Sequence, residues 1–199
     1  MTPTARADTA SNRPASAHVP GEVGTWVFIF GDVLVFSVFF ATYLYYFGED
    51  PDLFREAQGT LTQAFGAINT ALLLTSSLCV ALSVKSLRAG ETSTARRLVP
   101  LALACGAGFM AFKVIEYSQH VSNGETAGVN DFYLYFYVLT GVHAFHLAVG
   151  MCGLSFIWRT ACRSRMTERQ FGYVEGAACF WHLVDLLWIV LFPLLYLVG

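Results

Sequence analysis

Ionisable side chains stand inside stretches of this chain that are otherwise apolar. Asp32 lies in FIFGDVLVF, Lys113, Glu116 and His120 in FKVIEYSQH, His143 and His146 in TGVHAFHLAVG, and Glu175, His182 and Asp185 in EGAACFWHLVDLLW. A charge near the centre of a bilayer costs about 2.5–3.5 kcal/mol or more, so such groups pair, line a polar cavity or carry protons. Helical spacing puts Lys113, Glu116 and His120 on one face at i, i+3 and i+7, and Glu175, His182 and Asp185 on one stripe. His143 and His146 are three apart and stand side by side on one helix. The chemistry open to these groups is proton transfer, ion pairing, or ligation of a metal or haem. Structural hydrogen bonding is the simpler reading for the two histidines, because bis-His haem ligation needs imidazoles facing one another across helices. An ion pair is the simpler reading for Lys113 and Glu116, and a pair that ties helices together is the simpler one for His182 and Asp185. Asp32 has no cation near it in its own helix, so structure and function stay equally open there.

The elements that position these groups follow from hydropathy. The 199-residue chain is 55% hydrophobic and 13% charged, with a mean hydropathy of +0.53; soluble domains are nearer 25% charged. A helix needs about 20 apolar residues to cross the hydrocarbon core. Five stretches suffice, at about 25–47, 64–87, 97–120, 132–158 and 174–198, separated by short polar segments rich in turn residues. The fold expected is all-α, an integral membrane bundle of five transmembrane helices over residues 21–199. Residues 1–20, rich in Ala, Ser, Thr and Pro without an apolar core, read as a disordered tail rather than a signal peptide.

Lysine and arginine set the expected orientation. The tail and the second and fourth loops hold Arg6, Arg13, Lys85, Arg88, Arg96, Arg97, Arg159, Arg163, Arg165 and Arg169. The opposite side holds Arg55 and a set of carboxylates: Glu49, Asp50, Asp52, Glu56, Glu125 and Asp131. The N-terminus is therefore expected in the cytoplasm and the C-terminus outside. At about 1.5 Å per residue, Asp32, His182 and Asp185 lie roughly 10, 12 and 16 Å in from the cytoplasmic ends, with His143 and His146 at comparable depth. One mid-depth cluster of Asp32, His143, His146, His182 and Asp185 is expected, with Lys113, Glu116 and His120 as a separate group nearer the outside. Glu175 opens the last helix. Trp26, Tyr43, Tyr45, Tyr46 and Trp158 fall near span ends, as interfacial anchors do.

The five cysteines form no close pairs, which supports neither a disulfide framework nor a zinc site. A net charge of −2 without a basic run gives no sign of nucleic-acid binding.

Taken together, the motifs resemble subunit III of the haem-copper oxidases, the cytochrome c and quinol oxidase subunit III family. The ending FGYVEGAACFWHLVDLLW resembles the family's last helix through Phe171, Gly172, Glu175, Trp181, His182, Val184, Asp185 and Trp188. GVHAFHLAVG looks like its Gly-x-His-x-x-His-x-x-x-Gly, here Gly141, His143, His146 and Gly150. IEYSQH resembles its Glu-Tyr motif at Glu116 and Tyr117, and GDVLVFSVFFATYLYY resembles the helix bearing its buried carboxylate, here Asp32. Long members have seven spans, and the resemblance begins at their third helix. The two helices without a counterpart form one arm of a lipid-holding cleft, so the resemblance does not bring a specific cleft lipid to this chain.

The resemblance implies a non-redox accessory subunit of a bacterial haem-copper terminal oxidase, multi-pass in the inner (plasma) membrane. Such a subunit packs on catalytic subunit I, supports proton uptake and stabilises turnover in aerobic electron transport. Subunit II is a second candidate neighbour, and membrane lipids surround it. No catalytic centre, metal or cofactor is expected in this chain; haem and copper belong to the partner. The opening GEVGTWVFIFGD looks most like short members that accompany nitric-oxide reductases, which keeps that complex as the alternative. A proton-coupled transporter using Asp32, Glu116 and the histidines is more remote, since no inverted repeat or pair of broken helices is visible. A b-type cytochrome using His143 or His146 is the remaining rival.

Overall fold

The computed structural model describes residues 23–163 and 166–197; the expectation of a disordered tail falls outside them. The described residues form α1 (Val23–Glu49), α2 (Pro51–Gln58), α3 (Gln63–Arg88), α4 (Thr92–Ser122), α5 (Asp131–Ala161) and α6 (Glu168–Tyr196), with no strand among them. All but α2 are long and apolar enough to cross a membrane. They coincide with the five stretches expected from hydropathy and extend a few residues further into the polar flanks.

Local chemistry marks the boundaries. Asn130 caps α5 by accepting from the Tyr133 amide, and Thr167 with Gln170 forms a capping box that starts α6, each satisfying amides that a helix start leaves free. Gly90 and Gly124 adopt positive φ in the turns after α3 and α4, a conformation that disfavours a side chain.

One polar connection differs from the expected turn. PDLFREAQ in the first loop is helical, because Asp50 caps it and Pro51 occupies its first turn, where a missing amide hydrogen loses nothing. This helix, α2, buries Phe54 against Tyr43, Phe47 and Phe132. Gln58 and Tyr43 both donate to the Leu194 carbonyl, which lies in the last turn of α6, where helix carbonyls lack partners within the helix. Tyr43 is therefore a buried tie to α6 and not an interfacial anchor.

The core sits around α6. Half of its most apolar window is buried, against 11% for α1. Trp181 enters a notch made by small residues on two neighbours: a β-carbon on Gly150 of α5 would lie 2.7 Å from its ring, and one on Gly106 of α4 would lie 3.1 Å away. Small residues allow such close approach where the surrounding lipid is as apolar as the side chains. On the opposite edge of α6, Gly176 receives Thr25 and Phe180 meets Phe28, which holds α1 loosely alongside.

Candidate functional site

The expected mid-depth cluster divides into three separate places, because consecutive faces of α6 meet different helices. The α1 edge is taken by Gly176 and Phe180, and the α4–α5 edge by Trp181 and Trp188. Glu175 and His182 are seven residues apart and face α3 instead. The acidic stripe of α6 thus does not meet Asp32, His143 or His146.

The first place joins α1 and α5. His146 Nε2 lies 3.4 Å from Asp32 Oδ1 and its Nδ1 lies 2.8 Å from the Val142 carbonyl. A carbonyl accepts only, so Nδ1 carries hydrogen and donates to it. Asp32 Oδ2 is buried without a hydrogen-bond partner. Phe36 and Phe180 pack on the His146 ring. One carboxylate oxygen therefore remains available in an apolar setting near the exposed side of α1.

His143 points the other way. It is fully buried between Phe109 of α4 and Trp188 of α6, and neither ring nitrogen has a hydrogen-bond partner. Three positions on a helix turn the side chain by about 60° away from His146, enough to send the two rings to different neighbours.

The third place lies between α3 and α6. His182 Nδ1 is 2.8 Å from Ser77 Oγ and 3.8 Å from Asp185 Oδ2. Near the helix ends, Arg88 Nη2 and Nε reach Glu175 Oε1 at 2.6 and 3.1 Å. The Glu175 side chain is only 1% exposed while that of Arg88 is 50% exposed. Arg88 thus neutralises a buried carboxylate from the rim.

The outer group is also rearranged. Lys113 Nζ donates to Glu116 Oε2 at 2.7 Å and to Tyr196 Oη at 2.8 Å, and the Tyr196 hydroxyl donates to Glu116 Oε1 at 2.7 Å. The ammonium also lies 4.8 Å from the Trp188 ring centroid and 5.3 Å from that of Phe136. With both oxygens of Glu116 engaged, His120 turns to Glu125 in the following loop and does not join the pair. Tyr117 bonds Thr140 across α4 and α5.

Tyr196, Arg88 and Ser77 were not singled out from the sequence. Depth offered a signal for the first two: Tyr196 ends the last span at the level of Lys113, and Arg88 ends α3 at the level of Glu175, which stands two turns inside α6 and does not open it, because the Thr167 capping box starts that helix at Glu168. Among the described residues, no three His, Cys, Asp or Glu side chains converge as a metal-ligand set.

Fold and site together define a multi-pass helical membrane protein in which the buried charges of Lys113, Glu116 and Glu175 are tied to neighbouring helices. Comparison of the sequence makes the class specific. The family model described as Cytochrome c oxidase subunit III matches residues 15–199, and the chain belongs to that family. It is 28% identical over 182 residues to quinol oxidase subunit 3 of Bacillus spizizenii, covering 89% of this chain and 86% of that protein. It is 30% identical over 195 residues to cytochrome c oxidase subunit 3 of a Synechocystis species, covering 92% and 82%. The protein of the same description from Thermostichus vulcanus is 31% identical over 177 residues, covering 88% and 86%.

Proposed function

We propose that this chain is the non-redox accessory subunit of a bacterial haem-copper terminal oxidase, packed on catalytic subunit I in the inner membrane. Its family membership over residues 15–199 carries the reading. Relatives named as subunit 3 of both quinol and cytochrome c oxidases support an oxidase over a nitric-oxide reductase and leave the electron donor to be measured. The positive-inside asymmetry supports a cytoplasmic N-terminus and an outer C-terminus.

Asp32 is the carboxylate through which this subunit acts on its partner. The supporting observation is its half-satisfied state: one oxygen faces His146 Nε2, and the other is buried without a partner. With His146 Nδ1 donating to the Val142 carbonyl, Nε2 either accepts from a protonated Asp32 or, in the imidazolium, donates to its carboxylate. A proton can thus be held at either member of the pair. Glu116 has both oxygens occupied and Glu175 is held by arginine, which suits them to structural ties.

Asp32→Asn tests this role. The complex is expected to assemble in normal amount and to lose activity progressively during turnover. Normal turnover with reduced assembly would make Asp32 a structural residue.

A further inference from the structure

An elongated cavity of about 290 Å³ separates α3 from α6 at the end of the bundle that carries Lys85 and Arg88. Its walls are Ala81 and Val84 on one side and Ala178 on the other, and His182 stands at its far end. From Arg88 to Ala81, and from Glu175 to His182, is seven residues, so the trench runs about 10 Å inward along both helices. A second cavity, of about 540 Å³, meets the first at Arg88 and lies beside the start of α6, where Phe171 and Glu168 border it.

The trench wall is apolar at Ala81, Val84 and Ala178, and its mouth carries Lys85 together with Arg88 and its ion-paired Glu175. Lys85 is exposed and makes no hydrogen bond or ion pair among the described residues. Arg88 spends Nε and Nη2 on Glu175, which leaves the two Nη1 hydrogens without a protein acceptor among the described residues. Two adjacent cationic groups at a helix end, above an apolar slot entering the hydrocarbon, complement one kind of molecule: an anionic phosphate attached to an acyl chain.

We propose that the α3–α6 trench is a binding site for a diacyl glycerophospholipid. The phosphate sits between Lys85 Nζ and Arg88 Nη1, and one acyl chain lies along Ala81, Val84 and Ala178. Glu168 at the outer cavity gives a headgroup bearing hydroxyl or ammonium donors an acceptor. The site rests on the membrane-spanning reading of the helices and is independent of which complex the chain joins.

Native mass spectrometry of the purified full chain from mild detergent tests the site, with phosphatidylglycerol as probe and diacylglycerol of the same chain lengths as control. Phosphatidylglycerol is expected to stay bound under activation that strips diacylglycerol. Lys85→Ala should reduce occupancy on the order of fivefold, the effect of one cation near a membrane surface. Ala81→Phe, which fills the trench from an exposed position without touching a charge, should reduce it similarly. Both variants should melt like the parent by circular dichroism, since neither residue holds a tertiary contact partner by charge.

Equal retention of the two lipids, or full occupancy in Lys85→Ala, would overturn the proposal. Loss in Lys85→Ala alone, with inorganic phosphate displacing the lipid and Ala81→Phe unaffected, would make this a simple anion site and would equally overturn it. Failure of the chain to co-purify with an oxidase would leave these outcomes untouched, so the two readings fail separately.

Discussion

The Lys113–Glu116–Tyr196 knot gives the sharpest energetic prediction. Lys113 and Glu116 are 3% and 1% exposed, and the ammonium donates to both Glu116 and Tyr196 while lying over the Trp188 ring. Replacing Lys113 by Met keeps an unbranched side chain, one heavy atom shorter, and removes the charge. Glu116 is then a buried carboxylate with one tyrosine hydroxyl, and it must protonate or stay uncompensated. Breaking one partner of a buried pair costs about 3–5 kcal/mol, and loss of a desolvated cation–π contact adds about 1–2 kcal/mol. Release of the ammonium from its own desolvation penalty offsets part of this, so a net loss of about 3 kcal/mol is expected. Glu116→Gln should cost a similar amount, because it strands the ammonium. The double variant Lys113→Met/Glu116→Gln removes both charges and should cost only about 1–2 kcal/mol, since neutral replacement of a buried pair is often close to neutral. The two single effects should therefore exceed the double by about 4 kcal/mol. Reversible unfolding of the purified chain in mixed micelles of mild detergent and dodecyl sulfate, followed by circular dichroism, supplies the cycle. Additive effects would show that the two charges do not stabilise one another and would refute the argument.

Three further outcomes follow from particular contacts. Gly150→Ala should destabilise the bundle by about 1–3 kcal/mol in the same assay, because its β-carbon would stand 2.7 Å from the Trp181 ring; Gly141→Ala, with open space around it, should be neutral or slightly stabilising. Arg88→Gln removes the two hydrogen bonds of Arg88 to the nearly inaccessible Glu175 carboxylate and should cost about 1–3 kcal/mol, with Glu175→Gln in the same chain recovering part of it. Native Cys162, exposed just beyond α5, should resist a membrane-impermeant maleimide in intact cells and react in inverted vesicles, with Cys162→Ser as the control; labelling from outside would reverse the orientation proposed above.

Much of this architecture was legible in the chain. Five apolar stretches translate into five long helices because nothing but a helix satisfies its own backbone inside lipid. The i, i+3 pairing of Lys113 with Glu116 followed from helical spacing alone, and so did the 182–185 neighbourhood on α6. What spacing along one helix does not contain is rotation about its axis relative to the neighbours. His143 and His146 share a depth with Asp32, yet only His146 faces α1. The α6 stripe likewise turns to α3 because Trp181 and Trp188 claim the α4–α5 side. Spacing is likewise silent on Tyr196, because position along α6 does not show that its hydroxyl reaches Glu116 and Lys113 on α4. The short α2 was hidden by its polar composition, although Asp-Pro at its start is a helix-opening signal.

Affinity purification of a tagged chain from its native membrane in mild detergent, with an optical spectrum of the product, distinguishes an oxidase subunit without redox chemistry of its own from a haem protein or a lone transporter. A haem-copper subunit I is expected in the purified complex, with haem absorbance that follows subunit I and a spectrum of this chain without haem bands when the two are separated. A Soret band stoichiometric with the isolated chain, or purification of the chain with no haem-copper subunit, would contradict that expectation.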